Sequence, residues 1–547
     1  MSDPLTEKSA PARETPRAEG AVEVKNVASA ALAEATMRQK PSLWTRNMFQ
    51  LYFCVFIATL NAAINGYDGS LMSSINSYRQ YREYFGFSLT EGTPSTGIVF
   101  AIFTIGNLVS SFIAGPASDF RGRRVGMFIG AATIIIGSIV QASAQNLAAF
   151  MIGRFLLGFG AAFGPSAALS YVAEIAHPAY RGAMTGVYTT FYFVGSIPGT
   201  FVPYGTSTLA GTPSWRIPVW LQMVFSGIVL LAVPFLPESP RWLIANDRHA
   251  DALAVMARLH GEGDPRSPLV ALEYGEMVAQ ISQTGSDKRW WDYRGLAASR
   301  PARRRTLLCL AVAVFGQWSG NATTSYYYPQ MLAGAGITSN HLALLLQGVN
   351  AVIQFAGALL GAAVTDRVGR RPQLLVSTSV VVVLFAVITA LNATNLTTDP
   401  ATGEVVARSA AQAKAEVAVI FLFGFVFAVG WTPLQGLYAT EVLRFEDRAK
   451  GMALYTFVTN ICGFYNTFVT GIAFSGAGWK YYYLFIFWDI FEVAFIYLFF
   501  VETKNRTLEE LDVIFKADKP VKESLKKAEV LVDETSGVVE VLDKAEA

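Results

Sequence analysis

Runs of about 20 apolar residues, each long enough to cross the hydrocarbon core of a bilayer as a helix, recur twelve times along the chain. The first six begin near residues 48, 95, 125, 147, 183 and 217, the second six near 305, 342, 373, 417, 450 and 480. Between the two sets lies 237–304, with Arg, Glu, Asp and Pro throughout, too polar to span. It reads as a loop with helical pieces, for instance Ala250 to His260. Residues 1–47 are polar with scattered Pro and mixed charge, and they lack the three-part pattern of a signal peptide. They read as a disordered tail, and the stretch 507–547 as a similar one with short helices.

Basic residues near span ends set the orientation. Arg121, Arg123 and Arg124 fall between spans 2 and 3, Arg367, Arg370 and Arg371 between spans 8 and 9, and Arg444, Arg448 and Lys450 between spans 10 and 11. With an even number of spans, these loops share one side with both tails and the central loop, which places that side in the cytosol. The opposite side holds 392–416, where Asn392 and Asn395 each open an N-glycosylation acceptor triplet.

Composition agrees with the membrane reading. The chain is 52% hydrophobic and 15% charged, against about 25% charged in ordinary soluble domains. No basic patch is interleaved with aromatics, so nucleic acid is not an expected partner. Cys54, Cys309 and Cys462 all lie in apolar runs and read as buried filler. No metal-ligand cluster, nucleophile elbow or phosphate loop is present, and His177, His249, His260 and His341 all lie outside the deep parts of spans. An enzyme, a metal and a cofactor are therefore not expected.

One residue stands against this apolar background. Asp68 ends the run Leu51 to Ile64 and the following Asn65-Gly66-Tyr67. A charge at membrane depth costs about 2.5–3.5 kcal/mol on insertion scales. Asp68 therefore needs a partner, a proton or a task. Arg154, early in span 4 and flanked by Gly153, Gly158 and Gly160, is the candidate partner. Asp489 and Glu492 in span 12 are also deep and share one helix face; they are assigned to helix packing or a hydrogen bond to another span, with a part in coupling left open.

The two halves repeat. Asp119-Phe120-Arg121-Gly122-Arg123-Arg124 after span 2 matches Asp366-Arg367-Val368-Gly369-Arg370-Arg371 after span 8. Glu174 with Arg181 matches Glu441 with Arg448, and Pro237-Glu238-Ser239-Pro240-Arg241 matches Val501-Glu502-Thr503-Lys504. A need for loop charge does not explain a shared order of Asp, Gly and Arg. Duplication does, and it predicts a six-helix bundle at 48–236, a helical linker at 237–304, a second bundle at 305–501 and a cytosolic tail at 502–547, with a cavity between the bundles near the midplane.

These loops resemble the sugar porters of the major facilitator superfamily, over roughly 48–506. Gly66-Tyr67-Asp68-Gly69-Ser70-Leu71-Met72, Gly316-Gln317-Trp318-Ser319-Gly320-Asn321 and Thr432-Pro433-Leu434-Gln435 resemble the fungal lactose and cellodextrin permease branch. The resemblance implies a twelve-helix carrier in the plasma membrane that takes up sugar with a proton, with a disaccharide preferred. It leaves open a hexose, pentose or polyol carrier, a carrier without proton coupling, and a non-transporting sugar sensor. The partners it implies are a small sugar, a proton and the bilayer, acting as a monomer.

The family pattern also implies residue roles. Arg154 faces Asp68 and the two couple proton to sugar. Asp119, Arg121, Arg123, Arg124, Glu174, Arg181, Glu238, Arg241, Asp366, Arg370, Arg371, Glu441, Arg448 and Glu502 form a cytosolic gate. A sugar site needs amides beside aromatic surfaces. Gln317, Trp318, Asn321, Tyr326, Tyr327, Gln354, Trp431, Gln435, Asn460 and Asn466 supply them, with Gln347 and Asn350 open between binding and joining helices. Where many hexose porters carry glutamine, this chain has Gly316 and Ser196, smaller residues that suggest a roomier cavity.

Overall fold

The computed structural model describes residues 44–87, 94–284, 293–321, 328, 331–332, 337, 339–398, 405–407, 409–444, 447–504, 506, 508–525, 529–532 and 539–542. A helix stands at each of the twelve places. In the first half these are α1 (Arg46–Ile75), α2 (Pro94–Arg121), α3 (Arg123–Ala142), α4 (Leu147–Ile175), α5 (Arg181–Thr206) and α6 (Pro213–Phe235). In the second half they are α7 (Arg300–Trp318), α8 (Asn340–Val368), α9 (Arg370–Asn395), α10 (Ala410–Val442), α11 (Arg448–Ala477) and α12 (Tyr482–Phe499). Among the described residues nine helices are long and apolar enough to cross a membrane. The other three are α5, α7 and α11, whose sequences carry more polar residues or, in α7, a cluster of arginines at the start.

Local chemistry sets several boundaries. Thr45, Asn146, Ser299 and Ser339 cap α1, α4, α7 and α8, each side chain accepting from a backbone amide of the first turn. Between α2 and α3, and between α8 and α9, the chain reverses on Gly122 (φ +97°) and Gly369 (φ +101°), a backbone region costly for other residues.

Within the first bundle α1 lies hard against α5. A Cβ on Gly66 would sit 1.7 Å from the Tyr192 carbonyl oxygen, and one on Gly195 1.7 Å from that of Ala63. Outward faces remain apolar and exposed, as with Val376 and Val383 on α9 (64% and 60% exposed) and Phe487 on α12 (70%). That is the surface a lipid-facing helix presents.

The halves meet along two seams, each joining helices at matching places in the repeat. Along one, α2 packs on α11, where Asn460 Nδ2 donates to Ser111 Oγ (3.1 Å) and Phe112 meets Phe457. Along the other, α5 packs on α8, with Tyr204 stacked on His341 at 4.2 Å. At the end away from the linker, Asn340 donates to the Ser77 carbonyl (3.0 Å) and Ser74 Oγ to Gln347 Oε1 (3.3 Å), which ties α8 to α1.

The linker carries short helices at Pro240–Ala245, His249–His260 and Pro268–Thr284. Leu243, Met256 and Val270 form its small core, and His260 Nε2 lies 3.0 Å from the last-turn carbonyl of Ile175 on α4. One expectation needs correction. The start of the C-terminal tail is built into the second bundle: the helix Leu508–Lys516 inserts Leu511, Ile514 and Phe515 into its core, and Asp512 pairs with Arg305 at 2.5 Å. Those apolar positions recur at helical spacing, so the segment has a face to bury.

Candidate functional site

Asp68 does not end its helix. α1 continues about two turns beyond it, and Arg154 lies about two turns after the start of the antiparallel α4, so the two side chains reach the same depth. Arg154 Nη1 donates to Asp68 Oδ1 at 2.6 Å, both side chains 2% exposed. The guanidinium also lies over the Phe103 ring (4.6 Å to the centroid) and near the Val99 carbonyl (3.5 Å). Charge, ring face and carbonyl together satisfy a cation buried away from solvent.

A third residue completes the pair. Gln222 Nε2 donates to the same Oδ1, also at 2.6 Å. Its position follows from a break in α6. Tyr67, next to Asp68, donates its hydroxyl to the Pro218 carbonyl (2.9 Å), the oxygen a continuous α-helix would offer to the Gln222 amide. That amide turns to Val219 instead (3.3 Å), and the tightened turn carries the Gln222 side chain to Asp68. Sequence reasoning missed Gln222, although a lone amide inside the apolar run of span 6 was the available signal.

Polar side chains of the second half gather at two places. Where α7, α10 and α11 meet, Asn466 Nδ2 donates to the Gln317 carbonyl (2.7 Å), the Gln317 amide lies over Gly463, and Gln435 lies against Gly316. Where α8 meets α10, Asn350 and Gln354 lie against Gly424. Gly316 therefore opens no extra room: a Cβ there would meet Gln435 Cδ at 2.8 Å, so the glutamine of α10 fills the space. Ser196 is likewise engaged, 2.6 Å from Ser70 Oγ.

Several predicted ligands lie elsewhere. Trp431 is wholly buried in the bundle core, stacked on Phe427, with its indole N–H donated to Thr378 on α9 (3.1 Å). It offers a sugar neither face nor donor. Trp318 turns away toward α11 and α12, against Tyr465 and Trp488 and toward the Cys462 carbonyl. Asn460 sits in the α2–α11 seam. Asn321 is half-buried just beyond Gly320 (φ +80°), and Tyr326 and Tyr327 lie outside the described residues. Asn392 is 1% exposed inside α9 and its Nδ2 donates to Glu416 Oε1 at 2.5 Å, which leaves no place for a glycan. The side chain of Asn395 lies outside the described residues.

The charged loops repeat atom for atom. Arg123 grips Glu174 with Nε and Nη2 (3.0 and 3.1 Å); Arg370 grips Glu441 the same way (3.1 and 2.9 Å). The Arg123 amide donates to Glu238 Oε1 (3.1 Å), the Arg370 amide to Glu502 Oε1 (3.0 Å). Ser239 donates to Glu174 as Thr503 does to Glu441. Tyr171 donates to the Pro237 carbonyl as Tyr438 does to that of Val501. Burial pushes the Glu238 carboxyl up, against the pull of the amides of Ser239, Arg123 and Arg124. Each network clamps helices of one bundle to the segment leaving that bundle.

The remaining gate candidates differ. Asp119 pairs with Arg123 (2.9 Å) from an exposed position, and Arg124 and Arg371 donate to carbonyls at the ends of α6 and α12. Arg121 is exposed beside the Phe120 ring. Arg241 and Arg448 are half-buried, and the side chains of Arg181 and Asp366 lie outside the described residues.

The sugar (and other) transporter family model matches residues 54–515, nearly all of both bundles and the linker. The chain belongs to that family. It is therefore a multi-pass membrane transporter of the major facilitator superfamily and not an enzyme. A high-affinity glucose transporter of Kluyveromyces lactis is 30% identical over 479 residues, covering 85% of each chain. The MFS-type transporter oryC of Aspergillus oryzae is 28% identical over 489 residues, 88% of each. Among solved structures, the proton:xylose symporter XylE bound to 6-bromo-6-deoxy-D-glucose has a TM-score of 0.69 at 19% identity, covering 86% of this chain and 100% of that one. That likeness carries the fold.

Proposed function

We propose that the chain is a proton-coupled symporter for a hexose-sized sugar, working by alternating access of a site between the two bundles. The observation that carries this reading is Asp68 Oδ1, buried and shared between Arg154 and Gln222. An ionised carboxylate is held there by two donors; protonation removes the charge they hold and weakens both bonds. Asp68 takes a proton from the side to which the carrier is open, the pair with Arg154 loosens, and the loaded bundles rock. Release on the other side restores the pair.

Sugar hydroxyls would meet Gln317, Asn466 and Gln435 at one wall and Asn350 and Gln354 at another. The glucose transporters among the relatives, and the filling of the space beside Gly316 by Gln435, favour a monosaccharide over the disaccharide first expected. The paired networks at Arg123 and Arg370 act as cytosolic clamps that keep each bundle rigid as it rocks. The carrier acts as a monomer in the plasma membrane, with both termini in the cytosol. In proteoliposomes, Asp68→Asn should exchange labelled sugar across the membrane yet fail to accumulate it against a gradient. Wild-type accumulation by that variant would remove Asp68 from coupling, and absence of any sugar uptake by the wild-type chain would point to a sensor.

A further inference from the structure

Two acids of the second bundle have no part in the reading above. Asp489 and Glu492 lie one turn apart on α12, both fully buried. Among the described residues, both Asp489 oxygens and Glu492 Oε1 are buried without a hydrogen-bond partner. The helices packed most closely on α12 are α9 and α7. From Pro372 to Asn395, α9 has no ionisable side chain, and past Arg305 the only ionisable side chain of α7 is Cys309. On α12 itself the remaining ones are Tyr482, Tyr483 and Tyr497, with Lys480 and Tyr481 just before the helix. No cation on these elements reaches the pair's depth. An isolated buried carboxylate costs far more than a neutral carboxyl, so such a group takes up a proton instead.

Ser319 gives an independent reason for the same conclusion. Its Oγ bonds to the Phe315 carbonyl, one turn back on α7, and lies 3.0 Å from Glu492 Oε2. A hydroxyl has one hydrogen to give. With Glu492 ionised, both neighbours are acceptors and one contact is left without a proton. With Glu492 protonated, the carboxyl donates to Ser319 Oγ and Ser319 donates to Phe315, and both contacts are made.

We propose that Asp489 and Glu492 form a second proton-binding site, loaded in this conformation and tied to the end of α7 through Ser319. It rests on the transporter reading for its role in the cycle, but not on Asp68. When the site opens to water, Glu492 releases its proton to that water. The single hydrogen of Ser319 then turns to the carboxylate, the stronger acceptor. The Phe315 carbonyl keeps only the Ser319 amide (3.0 Å), and with its side-chain bond gone the last turn of α7 loosens beside Gln317, Trp318 and Gly320. Proton loss at α12 thereby becomes motion at the wall where the sugar amides gather.

Infrared difference spectra of the purified protein in liposomes test this directly. The wild-type chain should show the C=O absorption of protonated carboxyls, and addition of glucose or a rise in pH should change it. Glu492→Gln and Asp489→Asn should each remove part of that band, and Ser319→Ala should keep the band but lose its response to glucose. A band that responds to neither pH nor glucose, or no carboxyl band removed by either acid variant, overturns the proposal. If wild-type protein moves no protons with sugar, the symport reading fails, while the infrared response still decides this site on its own.

Discussion

Arg154 and Gln222 converge on a single oxygen of Asp68, each at 2.6 Å, from two different helices. The carboxylate thus reports on the packing of α1, α4 and α6 together. Gln222→Leu removes a hydrogen bond to a charged group, worth about 1.5–3 kcal/mol. Proton-driven accumulation should fall by roughly tenfold or more, with sugar exchange retained. Comparing uptake with counterflow in the same vesicles separates the two effects.

The twin clamps should contribute equally to stability. Removing one partner of a largely buried ion pair costs on the order of 3 kcal/mol. Arg123→Ala and Arg370→Ala should each lower the melting temperature by similar amounts, and the double variant by about their sum, since the sites share no partner. A thermal melt in detergent measures all three. A large effect from one and none from the other would contradict the equivalence of the halves.

Close helix contact is tested by glycine. Gly66→Ala would place a Cβ against the Tyr192 backbone carbonyl, which cannot move aside as a side-chain end can. Folding yield and sugar uptake should both collapse. Gly227→Ala has no atom within 4 Å and should melt like the parent.

Sugar contact and core packing should part in the kinetics. Gln317→Ala should raise KM with little change in melting temperature. Trp431→Phe, which loses the bond to Thr378, should lower melting temperature with KM retained. Asn392→Gln should leave any glycan pattern as it was, because that amide is occupied by Glu416.

The sequence already carried the number of helices, the duplication and the charged pair, and the reasons are physical. A span needs a long, mainly apolar run, and the repeat of the two halves marks the places of the more polar α5, α7 and α11. Asp68 and Arg154 stand out because charge is rare at that depth. Which way a residue faces within a span is far less legible. Lipid and bundle core are both apolar, so Trp431 and Trp318 carry no periodic mark of the side they occupy. Gln222 reaches Asp68 only because Tyr67 takes the Pro218 carbonyl and breaks α6, a relation between distant segments that no local pattern records. The docking of the tail helix was missed for a different reason: Leu511, Ile514 and Phe515 are too few to signal a core residence until the bundle that receives them is in place.

Proton movement at Asp68 is the claim on which the transport cycle turns. The most direct measurement is sugar-driven proton uptake by proteoliposomes holding either the parent chain or Asp68→Asn, with glucose as the first sugar. The parent should take up protons with glucose and concentrate it against a gradient, while Asp68→Asn should equilibrate glucose without doing either. Equal proton uptake and equal accumulation by the two chains would contradict the account.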